Sequence, residues 1–284
     1  MKAFNHEAYK DYDYKMTIIS EEKFGSVFEY ELKAKESLVI DEERWINMIV
    51  YLNEKPSAKL LIIQPISKGK YRITDYVARY FVSKGWNCLI VKRDKRYSKI
   101  REPSRLNLQL YEWVLDNRLI LDFLYDKKPF EFSKVAMFGI SKGAIKTSLI
   151  LGDDKRVSAG VMVLGGGNLS EFLPESQERG VKKARLAYIE ENGSGVEAFK
   201  LALEKSLSID PLDMAKYVDG RKTLHVLAYF DTAVPYSYGK ELYQAMPGAE
   251  LYTILAGHYT AILYLPFILN RSEAFYQKKL SLGQ

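Results

Sequence analysis

The chain has 284 residues, of which 47% are apolar and 27% charged, a formal net charge of +6 and one cysteine. That length and balance are ordinary for a single soluble, well-buried domain carrying an insertion, and they exclude a disordered, collagenous or disulfide-stapled chain. Cys88 alone cannot form an intrachain disulfide, Met1–Lys15 is too polar for a secretion signal, and the apolar run Ala261–Leu269 is too short and too interrupted by Pro266 to cross a membrane, so a cytoplasmic protein is expected.

In chain order, Ser26–Leu32 and Trp45–Leu52 read as strands, an antiparallel edge supplied by residues 1–57. Lys59–Gln64 is an apolar strand that stops at Pro65. Asp75–Ser83 has amphipathic helical spacing and ends at Gly85, and Trp86–Lys92 is a second buried strand. Leu108–Leu124 is helical, with Leu110, Trp113, Val114, Leu119, Ile120 and Phe123 on its apolar positions. A strand over Val135–Phe138 is followed by a helix over Ala144–Leu151 that stops at Gly152, and Ala159–Leu164 is a further strand ending in three glycines. Val181–Ile189 and Val196–Leu207 read as helices separated by Asn192-Gly193-Ser194-Gly195. Then come a strand over Thr223–Phe230, a helix near Tyr238–Met246, and a strand from Glu250 to a glycine at 257. Strands alternating with helices predict an α/β fold: a mostly parallel central sheet with helices on both faces.

Chemistry concentrates at Gly139-Ile140-Ser141-Lys142-Gly143, between the 135–138 strand and the following helix. Gly-x-Ser-x-Gly in that context is the spacing of a nucleophile elbow, a turn sharp enough that side chains at 139 and 143 would collide. The plainer alternative is a strand-to-helix turn whose serine only caps the helix. A serine nucleophile needs a base and an acid later in the chain. Of three histidines, His6 precedes the elbow, and His225 sits inside an apolar strand as an interior residue. His258 follows a strand-ending glycine, on the sheet edge where catalytic groups gather. Asp231 directly follows the Thr223–Phe230 strand and is preferred over Asp210 and Asp213, which suit a helix mouth, and over Asp219, which sits in a turn.

With Gly139-Ile140-Ser141-Lys142-Gly143, Asp231-Thr232-Ala233-Val234-Pro235 and Gly257-His258 in this order, the chain resembles an α/β-hydrolase of the serine esterase and peptidase superfamily from about Leu60 to Leu265. Ser208-Ile209-Asp210-Pro211-Leu212 resembles the esterase, dienelactone-hydrolase and oligopeptidase-like branches. The resemblance implies residues 58–165 and 221–284 as the core and residues 166–220 as a helical cap or lid, with Phe172, Leu173, Tyr188 and Phe199 as apolar lid contacts. It implies a carboxylic ester hydrolase with Ser141 as nucleophile, His258 as base and Asp231 as orienting acid. The oxyanion would be held by the Lys142 backbone N–H and by that of Ile66 or Ser67. A His-Gly pair common in the family at the latter place is replaced here by Gln64-Pro65-Ile66-Ser67-Lys68-Gly69. Peptidase, thioesterase, acyltransferase and non-catalytic binding roles are alternatives on the same fold.

The densest basic run, Lys92 to Arg101, should reach the catalytic edge beside Lys68. Lys68, Arg93, Lys95 and Arg96 could then form a basic rim favouring an anionic acyl substrate, or simply a solvated loop. Neither metal-ligand spacing nor a dinucleotide fingerprint occurs, so no metal or other cofactor is expected. The basic residues lack interleaved stacking aromatics, so a small acyl substrate is expected rather than a nucleic acid.

Overall fold

The computed structural model describes residues 13–22, 25–33, 44–55, 57–67, 71–93 and 102–281. Among them a nine-stranded sheet runs in the order β1-β2-β3-β5-β4-β6-β7-β8-β9. Strands β1 (Tyr14–Glu22), β2 (Gly25–Lys33) and β3 (Trp45–Asn53) form an antiparallel meander, and β3 is antiparallel to β5 (Asn87–Val91). From β5 onward the sheet is parallel, through β4 (Lys59–Gln64), β6 (Lys134–Ile140), β7 (Val157–Val163), β8 (Thr223–Ala228) and β9 (Glu250–Ile254).

Strands β4 to β8 are mostly apolar because both sheet faces are covered there, and the pleat sends alternate residues to opposite sides. Along β4, Leu61 and Ile63 join the layer under α1 (Arg72–Ser83) and α9 (Leu265–Ser281), where Phe81, Trp86 and Tyr276 pack together. Leu60 and Ile62 join the opposite layer under the C-terminal half of α2 (Pro103–Lys127), α3 (Lys142–Asp153) and α8 (Tyr236–Gln244). Between β7 and β8 lie four helices: α4 (Leu169–Glu175), α5 (Arg179–Glu191), α6 (Val196–Ser206) and α7 (Pro211–Met214).

Several elements depart from the sequence reading. Strand β1 went unread because its apolar positions carry little burial: Tyr14, Met16 and Ile18 are exposed at the sheet edge. Helix α2 begins at Pro103, five residues before the apolar spacing becomes regular, since proline at the first helical position needs no N–H partner. Strand β8 stops at Ala228, and Tyr229 and Phe230 form a turn that carries Asp231 outward. Helix α4, with Pro174 inside, was unread. The run around Pro266 opens the long helix α9. No helix among the described residues is long and apolar enough to cross a membrane.

Cys88 and His225 are interior, as their strands required. His225 is 1% exposed, its ring edge meets Tyr243, and its Nε2 has no partner among the described residues. Burial lowers its pKa from 6.5 to about 3. The unfolded chain therefore binds a proton at this histidine between those two values while the folded chain does not. Stability should fall as pH drops from about 6.5 toward 3, by on the order of 1 kcal/mol per unit, and be unaffected above. His225→Phe should flatten that part of the profile, as read by thermal melts at pH 7 and pH 4. An unchanged difference between the two melts would show that His225 carries none of the acid sensitivity.

Candidate active site

The elbow is built by close backbone approach. A Cβ on Gly139 would lie 2.1 Å from the Gly143 carbonyl oxygen and 2.5 Å from Thr147 Oγ1. One on Gly143 would lie 2.1 Å from the carbonyl oxygen of Gln64, so α3 starts directly against the end of β4. Between these glycines Ser141 takes φ 56° and ψ −120°, a strained conformation for a residue with a side chain. The obstructing atoms at Gly143 are backbone and cannot yield. Gly143→Ala should therefore cost about 3 kcal/mol of stability, measured by urea denaturation. A loss under 1 kcal/mol would show the elbow to be looser than its geometry.

Three residues from three loops at the C-terminal edge of the sheet meet here. His258 Nδ1 lies 2.7 Å from Asp231 Oδ2, and His258 Nε2 lies 2.9 Å from Ser141 Oγ. An ionised carboxylate only accepts, so Nδ1 carries the proton and Nε2 is free to receive that of Ser141. Asp231 Oδ1 accepts the N–H groups of Ala233 and Val234 at 2.8 and 2.9 Å, which anchors the carboxylate to its own turn. Ser141 and Asp231 are only 8% and 6% exposed, so water competes weakly for these bonds.

Two of the rival carboxylates are engaged elsewhere. Asp210 accepts the backbone N–H groups of Asn168, Leu169 and Leu212, and Asp219 pairs with Arg221. His6 lies outside the described residues.

Ser141 and His258 open onto a cavity of about 340 Å³. Its walls are largely apolar: Ile140 and Leu164 at the strand ends, Ile73 at the start of α1, and Ile262, Leu265 and Ile268 from the segment after His258. Leu164 holds φ 56°, a second strained residue at the site. Ile66 and Ser67 also line this cavity, on the loop after β4 that adjoins the elbow. Of the sequence-derived rim, Arg93 lies beside that loop, donating to the Ile66 carbonyl at 3.0 Å and stacking on Tyr71. Lys68, Lys95 and Arg96 lie outside the described residues.

The expected lid contacts are placed differently. Phe172 and Leu173 pack with Leu110, Trp113 and Val234, and Tyr188 packs on Phe199, away from the cavity walls. Residues 166–220 reach the cavity through Glu178 instead. The same segment is bonded to the acid loop: Ser176 Oγ donates to the Ala233 carbonyl, and the Gln177 N–H to that of Thr232. Arg185, buried, gathers the carbonyls of Leu173, Pro174 and Ser176. Sequence reasoning had no signal for Glu178. The cavity wall after His258 was legible only as an apolar run.

Such an arrangement can deliver an activated serine oxygen to a carbonyl whose acyl chain lies in the cavity. No protein-family model matches the chain, and no curated protein matches it either. Solved structures do. An esterase described as cold-adapted, from an Arctic intertidal metagenomic library, shares 16% identity at a TM-score of 0.60, over 93% of this chain and 99% of that one. Est1E from Butyrivibrio proteoclasticus shares 16% at 0.59, over 84% and 95%. The alpha/beta hydrolase GrgF from a Penicillium species shares 16% at 0.59, over 95% and 99%. The chain therefore has the α/β-hydrolase fold.

Proposed function

We propose that this α/β-hydrolase-fold chain is a serine-dependent carboxylic ester hydrolase. The reading is carried by the continuous hydrogen-bonded line from Asp231 through His258 to Ser141 at the mouth of an apolar cavity. Structural neighbours named as esterases favour the same reading.

In the first half-reaction Ser141 Oγ attacks the ester carbonyl carbon while its proton passes to His258 Nε2. The tetrahedral oxyanion is held by the Lys142 N–H, with a second N–H from Ile66 or Ser67. Arg93, bonded to the Ile66 carbonyl, steadies that second donor. Collapse breaks the carbon–oxygen bond to the alcohol, which leaves with the proton from His258. Water, deprotonated by His258, then attacks the acyl-Ser141 ester, and the acid departs with the serine restored. Residues 166–220 cap one side of the site, with Glu178 at the cavity and residues 176–177 bracing the acid loop.

A fluorophosphonate probe tests the assignment. It should label the wild-type chain at Ser141, as located by peptide mass spectrometry, and should not label Ser141→Ala. Labelling elsewhere, or none, would remove the serine mechanism.

A further inference from the structure

One ionic side chain of the cavity has no part in the ester mechanism. Among the described residues of the wall, Glu178 brings the only carboxylate and His258 the only basic group, and the other polar side chains are Ser67, Ser141 and Tyr259. Half-buried Glu178 is firmly placed. Its N–H donates to Ser176 Oγ at 3.2 Å, and that hydroxyl donates in turn to the Ala233 carbonyl. With the Gln177 N–H on the Thr232 carbonyl, the turn that carries Glu178 is tied to the acid loop. Glu178 Oε2 accepts the Val181 N–H at 2.8 Å and so caps α5.

Capping accounts for one oxygen and not for the residue type. Serine, threonine, aspartate and asparagine are the favoured N-caps, since a short side chain suffices to reach the first-turn N–H groups. Among the described residues Glu178 Oε1 accepts no hydrogen bond, and no lysine, arginine or histidine pairs with the carboxylate. Of the cations around the site, Arg93 donates to the Ile66 carbonyl and Lys142 lies over the Trp113 ring, and neither lines the cavity. A carboxylate beside apolar walls attracts a positive group, and repels a negative one, more strongly than it would in open water.

We propose that Glu178 sets the charge of the substrate: the cavity takes acyl chains that carry an ammonium group, whose N–H donates to Glu178 Oε1 while Oε2 stays on the helix cap. This rests on the serine-esterase reading, because Ser141 and His258 share the cavity with Glu178. At about 340 Å³ the cavity has room for an acyl chain of several carbons with its terminal ammonium. The preference is opposite to the one a basic rim would impose.

Binding separates the two readings. In the Ser141→Ala protein, calorimetry compares 6-amino-N-methylhexanamide, a cation at neutral pH, with N-methylheptanamide, its uncharged isostere. Neither is an ester. The cation should bind about tenfold more tightly, the scale of one charge-assisted hydrogen bond. Glu178→Gln and Glu178→Ser should each bring that ratio to one or below. Glutamine keeps the length and an oxygen for the Val181 N–H, and serine caps α5 without carrying a charge to the cavity, so together they separate the lost charge from a lost cap. A ratio of one or below in the parent, no binding of the cation, or a preference that survives in either variant overturns the proposal. Turnover of ethyl heptanoate by the wild type tests the esterase reading on its own.

Discussion

Ser141→Ala should lower kcat/KM for a short-chain ester by about 10⁶-fold, the scale on which serine-triad enzymes lose activity with their nucleophile. Ser141 Oγ is the atom His258 Nε2 addresses, at 2.9 Å, and no hydroxyl replaces it in the alanine protein. The residual rate would come from the Lys142 amide and that of Ile66 or Ser67 acting on a bound ester with water as nucleophile. Stability distinguishes this loss from damage to the elbow. Alanine at φ 56° carries the same strain as serine, so the melting temperature should stay nearly constant. Ser141→Gly should be equally inactive and more stable by about 1 kcal/mol, because glycine adopts that conformation without strain. Activity within tenfold of wild type in either variant would dismiss Ser141 as nucleophile.

What made this fold readable was the alternation of apolar runs with turn glycines. From Lys59 to Ala228 each parallel strand is covered on both faces, so its apolar character needs no help from pattern. Where burial is absent the sequence falls silent, as at β1, whose Met16 and Ile18 stand in solvent. The elbow was legible because two backbone contacts force glycine at 139 and 143, and a backbone clash leaves its mark in residue type. The nomination of Asp231 and His258 needed only chain order and strand ends. Their mutual geometry did not follow from sequence, since it depends on the turn at 229–230 and the amides of Ala233 and Val234.

The named apolar contacts within 166–220 were hard to place for a related reason. Phe172 and Leu173 looked like lid contacts because large apolar residues in an insertion suggest a ligand. Their partner turned out to be the first half of α2, through Leu110 and Trp113. Helix packing and pocket lining share one sequence signature, apolar residues at helical spacing, and only tertiary contacts tell them apart. Lys146 shows the converse. A lysine in the fifth position of α3, among apolar residues, gave no hint that Trp113 would cover it.

Asp231→Asn should lower kcat/KM by about 10⁴-fold, and the bonding around Asp231 gives the reason. The carboxylate presents Oδ1 to two N–H donors, Ala233 and Val234, and Oδ2 to the His258 Nδ1–H. An asparagine has one oxygen, and the two backbone donors claim it, since turning its amide toward them would leave buried N–H groups facing N–H groups. Its NH₂ must then face His258 Nδ1, which can satisfy it only by giving up its proton. The imidazole switches to the tautomer with hydrogen on Nε2, pointing a donor at Ser141 Oγ where an acceptor is required. Asp231→Ala lacks that locked inversion, so it should retain more activity than the closer isostere, and measuring both variants side by side isolates the tautomer from simple loss of charge. If Asp231→Asn keeps more than a tenth of wild-type activity, Asp231 does not orient His258. Asp210 could not take its place without abandoning the three backbone N–H groups it holds.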